Sequence, residues 1–100
     1  MIRVRIVREN DYIKQITLKG HADYEVYGKD IVCAAVSATY LCSVNGILSI
    51  DQDSIKVTST GDIQIIDVLK EDDTIEKLLC NMEQCLKSLE QQYPNNINVQ

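Results

Sequence analysis

His21 and Cys33 are the residues of this chain whose types and spacing suggest covalent chemistry. His21 is the only histidine, and eleven residues separate it from Cys33. A cysteine attacks as thiolate, and a free thiol of pKa about 8.5 is mostly protonated at neutral pH. A helix N-terminus and a neighbouring imidazolium both favour the thiolate. Asp30 is a good N-cap, because its carboxylate can accept from an orphan amide at a helix start. Ile31, Val32 and Cys33 then become the first three helical residues. Their amides lack intrahelical partners and could steady a developing oxyanion. A histidine, with a reference pKa of about 6.5, is suited to taking and returning a proton. Plainer readings stand beside these. A histidine next to a glycine fits a turn, and a cysteine on an apolar helix fits a small core residue. Asp30 caps the helix in either case, so spacing alone leaves the matter open.

The surrounding residues form a longer pattern. Gly20-His21-Ala22, then Gly28, then Asp30-Ile31-Val32-Cys33-Ala34, Ser37-Ala38 and Ser43-Val44-Asn45 resemble the signature of the ribosomal-processing cysteine proteases (Prp). Ala35 departs from it, where the family often has glycine. An extra methyl there could tighten packing near the site without removing the chemistry. The resemblance implies a Cys/His protease with Cys33 as nucleophile and His21 as base. It implies a substrate as well: the N-terminal extension of a bacterial large-subunit ribosomal protein, number twenty-seven, cut after an aromatic residue. It further implies a homodimer with a mobile loop between histidine and cysteine. Asp30, Ser37 and Gly28 lie in the motif and are expected to shape the site. No metal or organic cofactor is implied.

Those groups need a scaffold. One hundred residues make one domain, residues 1–100, with room for a modest core. There is no tryptophan or phenylalanine, so the core must rest on aliphatic side chains and tyrosine. A net charge of −5 argues against a broad nucleic-acid surface and suits a basic partner, or simply a solvated exterior. The four cysteines at 33, 42, 80 and 85 show no metal-ligand spacing. On helices, Cys80 and Cys85 would point about 140° apart. Reduced thiols in a cytoplasmic protein are the simplest reading. No signal peptide is evident. Ile31 to Ile50 is uncharged over twenty residues, long enough to span a bilayer, but its serines, threonine, tyrosine and asparagine argue against a membrane.

Met1 to Arg8 alternates aliphatic and basic residues, the period-two pattern of a half-buried strand. Glu9 to Asp11 supply a turn, and Tyr12 to Lys19 the partner strand. His21 then sits just past a strand end. Ala22 to Lys29 reads as a polar loop: either a lid freed by Gly28 or a plain connector. Asp30 to about Ser49 reads as a helix apolar all round, hence one buried on most sides against sheet, second helix and a second subunit. Ser37 lies one turn after Cys33 on the same face. Ser54 to Thr60 and Ile63 to Leu69 read as strands joined by Gly61-Asp62. Thr74 to Tyr93 is an amphipathic helix with Ile75, Leu78, Leu79, Met82, Leu86, Leu89 and Tyr93 as its stripe. Cys80 falls off that stripe and Cys85 on its edge. Pro94 stops the helix, and Ile97 and Val99 allow a short last strand. The order β-β-α-β-β-α predicts an α+β fold, an antiparallel sheet with two helices packed on it. The expected function is a cytoplasmic cysteine endopeptidase. Its rival is a ribosome-associated binding or assembly protein without a catalytic step.

Overall fold

The computed structural model describes residues 1–26 and 29–100. The elements follow the expected order: β1 (Ile2–Glu9), β2 (Tyr12–Lys19), α1 (Ile31–Ile50), β3 (Ile55–Thr60), β4 (Ile63–Val68), α2 (Asp73–Gln92) and β5 (Ile97–Val99). The strands form one sheet in the order β3-β4-β2-β1-β5.

Alternation in β1 and β2 decides which face is covered. Ile2 and Val4 of β1 and Ile16 and Leu18 of β2 are buried, whereas Arg3, Arg5 and Lys19 are exposed. Pairing Val4 with Leu18 and Ile6 with Ile16 puts the aliphatic residues of both strands on one side. The turn between them is Asn10-Asp11, with φ of 55° and 65°. Two left-handed residues match the twist of a tight hairpin, and Asn and Asp tolerate that region. β4 pairs antiparallel with β2 and β3 with β4. β5 runs parallel to β1, so the sheet is mixed. The long α2 crossover makes this parallel return feasible.

Both helices join the inner face of the sheet in one core. α2 does so through Ile75, Leu79, Met82 and Leu86, all of them buried. Glu83 is buried as well, although no apolar stripe predicts it. Arg8 at the end of β1 donates to its Oε1, and Lys87 lies 3.5 Å from Oε2. A carboxylate in such a place needs partners to offset its lost hydration. The neighbouring Glu76 accepts the Ile13 amide at 2.9 Å. This side of α2 therefore leans toward the hairpin. Cys80 comes with it and is half-buried, while Cys85 is exposed, the reverse of what the stripe suggested. All four cysteines are free thiols. Burial and the Glu76 carboxylate push the Cys80 thiol up from its ordinary pKa, which favours the protonated form.

α1 differs from its sequence-based expectation. By length and composition it is apolar enough to cross a membrane, yet within this chain only Val32, Val36, Val44 and Ile47 are buried. Ile31, Leu41 and Ile50 are each more than half exposed, at 56%, 56% and 57%. One side meets α2 and the core. Among the described residues, no element lies over the opposite side, where Ile31 and Leu41 are exposed.

Candidate active site

β2 ends at Lys19, and Gly20 turns the chain with φ of +97°. A side chain would be strained there, and its Cβ would lie 2.6 Å from the Met1 carbonyl oxygen. Gly20 thus lets the backbone pass close to β1 and present His21 just past the end of the central strand. Its own amide donates to the Asp62 carbonyl at 3.1 Å. The next residues are exposed His21 and buried Ala22.

The helix start is built by Asp30. Its Oδ1 accepts from the Val32 and Cys33 amides at 3.0 and 2.9 Å. Its Oδ2 accepts from the Tyr24 and Glu25 amides at 2.9 and 3.4 Å. One carboxylate therefore caps α1 and ties the loop to it. Burial alone would raise the Asp30 carboxyl, but the amides of Cys33, Tyr24, Glu25 and Val32 together outweigh it and hold the group below the usual carboxylate range. This corrects one sequence-based expectation. Two of the three helix-start amides expected to meet an oxyanion already donate to Asp30.

Cys33 is half-buried one turn into the helix, and its Sγ accepts the Ala22 amide at 3.3 Å. The residue after the histidine thus touches the sulfur. Among the described residues no hydrogen bond joins the His21 ring to Cys33. Both side chains instead line one cavity of about 850 Å³. Asp30 and Ser37 line it too, with Ser37 exposed one turn after Cys33. Gly28, the expected hinge of the loop, lies outside the described residues.

The remaining wall has two characters. Leu18, Val36, Tyr40 and Leu41 give it apolar surface, while Asp23, Glu25 and Asp62 set carboxylates at its rim beside Lys19. Burial raises the Tyr40 hydroxyl above its ordinary pKa, so it stays a neutral donor. The cavity lining thus combines apolar and acidic side chains around a thiol and an imidazole.

Three contributors to this arrangement escaped the sequence reading: the Ala22 amide, the Tyr40–Leu41 wall, and a brace from the C-terminal turn. Tyr93 packs edge-on against Tyr24, with ring centroids 5.4 Å apart. Asn96 Nδ2 donates to the Ala22 carbonyl at 2.9 Å. These contacts join segments some seventy residues apart and leave no local signal.

The family described as Cysteine protease Prp matches residues 1–98 of the chain. A Staphylococcus aureus relative named Ribosomal processing cysteine protease Prp is 32% identical over 103 residues, covering 99% of this chain and 97% of the relative. A crystal structure of that S. aureus protease with a covalently linked product peptide superposes with a TM-score of 0.93 at 31% identity, covering 99% of this chain and 97% of that one. A second, with a substrate peptide, gives a TM-score of 0.88 at 30% identity, covering 100% and 98%. The chain belongs to the Prp family of cysteine proteases.

Proposed function

We propose that this protease removes the N-terminal extension of large-subunit ribosomal protein number twenty-seven, with Cys33 as nucleophile and His21 as general base. The observation that carries the reading is the meeting of the two side chains on one cavity at the start of α1. His21 takes the thiol proton as Sγ bonds to the scissile carbonyl carbon. The carbon–nitrogen bond then breaks, and His21 returns the proton to the leaving amine. Water activated by His21 hydrolyses the thioester and frees the thiol. A crystal structure of the S. aureus relative holds a covalently linked product peptide, which supports covalent catalysis. Asp30 and Ser37 shape the site: Asp30 by fixing both the helix start and the loop, Ser37 from one turn below the sulfur.

The cavity wall supports the substrate assignment. Val36, Tyr40 and Leu41 suit an aromatic side chain before the cut. Asp23, Glu25 and Asp62 suit the cationic tail of a ribosomal protein. A homodimer would cover the side of α1 that carries Ile31 and Leu41, since exposed apolar surface opposite a helix's buried face suits an interface. Four free thiols fit a cytoplasmic location. The protease needs no direct contact with nucleic acid or membrane in this scheme.

The test is mass spectrometry of a synthetic peptide bearing the extension of the host's own ribosomal protein. One cut after an aromatic residue, lost in both Cys33→Ala and His21→Ala, is the expected result. Equal cutting by the variants would overturn the dyad. No cut by folded wild-type protein would favour the non-catalytic binding protein.

A further inference from the structure

Ala22 follows the proposed base and is only 1% exposed. It is held from both sides. Its N–H donates to Cys33 Sγ at 3.3 Å, and its C=O accepts from Asn96 Nδ2 at 2.9 Å. The N–H belongs to the planar peptide unit that also contains the His21 carbonyl, so the contact with sulfur orients the plane adjoining the base. The C=O belongs to the next unit. Fixing both leaves Ala22 little freedom about its two backbone torsions.

That freedom matters because the flanking residues are conformationally unusual. Gly20 has φ of +97° and Asp23 of 55°. Between two left-handed residues, the chain needs an external hold to keep one path. Asn96 supplies it from the far end of the sequence. Its backbone is engaged elsewhere: the N–H donates to the Tyr93 carbonyl at 3.0 Å, and the C=O accepts the Ile2 amide at 2.9 Å. Among the described residues, the Asn96 side chain makes one hydrogen bond, the one to Ala22. Changing that side chain therefore leaves the bonds of its own turn in place.

We infer that Asn96 is a positioning residue for the catalytic pair: its amide holds the Ala22 carbonyl so that the Ala22 N–H meets Cys33 and His21 stays over the cavity. The inference rests on the Cys33/His21 reading above. Asn96 touches no reacting atom and acts through Ala22. An amide donor of this reach is required, because an ionised aspartate has the same shape and can only accept.

The experiment compares Asn96→Asp, Asn96→Ala and Asn96→Gln with Asn95→Ala, a change at the exposed neighbour, all checked for folding by circular dichroism. Peptide cleavage should show kcat lower by roughly 10- to 100-fold in Asn96→Asp and Asn96→Ala, with KM little changed, as expected when reacting groups are misplaced and binding is not. Asn96→Gln keeps a donor and should recover part of the loss. Asn95→Ala should match wild type. A second readout needs no substrate: site-resolved alkylation of Cys33 by iodoacetamide at pH ~6, which should slow several-fold in the two donor-less variants. Wild-type values of either readout in both of those variants would overturn the inference, as would a loss confined to KM. If cleavage survives Cys33→Ala, or wild type cuts nothing, the dyad reading is what fails. The alkylation rates then decide alone whether Asn96 governs Cys33.

Discussion

α1 and α2 have the same length, twenty residues, and both begin on an aspartate cap. They are otherwise opposites. α2 carries charge along its outer side and buries one stripe of Ile75, Leu79, Met82 and Leu86. α1 has no charged side chain, buries Val32, Val36, Val44 and Ile47, and leaves Ile31, Leu41 and Ile50 in water. The caps differ in the same way. Asp72 accepts one amide, that of Ile75. Asp30 accepts four, two of them from the loop that follows His21. α2 is fitted to the sheet and does little else. α1 holds more apolar surface and more hydrogen bonds at its start than its own packing requires, and the excess faces the cavity, the loop and an open side.

Substitutions at matched places would sharpen or break that contrast. The largest difference should come from the apolar faces. Leu86→Ala empties a fully buried position and should cost about 2–5 kcal/mol in urea unfolding. Leu41→Ala, at a 56% exposed position, should stay within about 0.5 kcal/mol for the monomer, and if the proposed homodimer forms through this side of α1, it should weaken it in analytical ultracentrifugation. Equal losses in monomer stability would mean that α1 is covered from within the chain.

A smaller effect is expected at the buried acid of α2. Arg8→Ala removes a partner of Glu83, whose side chain is only 6% exposed. Lys87 at 3.5 Å remains, and Arg8 itself is 45% exposed. A loss of about 2 kcal/mol is expected, below the range for breaking a fully buried pair. It should shrink when Glu83→Gln is added.

The caps should differ least in size and most in kind. Asp72→Ala should cost about 1 kcal/mol and leave turnover unchanged. Asp30→Ala should cost somewhat more, about 1–2 kcal/mol, and also lower turnover, because the loop loses its tether. Acid separates this effect from packing. The folded Asp30 carboxyl lies below its ordinary range, so its stabilisation is complete above about pH 4, the unfolded carboxyl value. It fades as pH falls below that value toward the folded pKa, and wild type and Asp30→Ala should converge there in unfolding measurements.

Much of this was legible in the residues. Ile2-Arg3-Val4-Arg5-Ile6 declared a half-buried strand, Asn10-Asp11 a hairpin, and the stripe from Ile75 to Leu89 a core helix. Asp30, three residues before Cys33, announced the cap. What stayed hidden depends on neighbours distant in sequence. Glu83 is buried only because β1 delivers Arg8 to it. The helix-start amides looked free until the Asp30 carboxylate closed on them. The exposed side of α1 cannot be told from its buried side when both are apolar. Asn96 carries no local signal; its proposed role depends on a carbonyl seventy-four positions away. Periodicity reports one element at a time, and hydrogen bonds between elements have no period.

Cys33 is the proposed nucleophile, the thiol set apart from the other three. The most direct measurement is site-resolved iodoacetamide labelling of all four cysteines at pH ~6, in wild type and in His21→Ala. Cys42 and Cys85 are exposed, and Cys33 is half-buried, so access alone would rank Cys33 behind them. Cys33 should label first, Cys80 should lag under its Glu76 bond, and Cys33 should lose its lead in His21→Ala. Labelling that simply follows exposure, with Cys33 no faster than Cys42 and indifferent to His21, would contradict that role for Cys33.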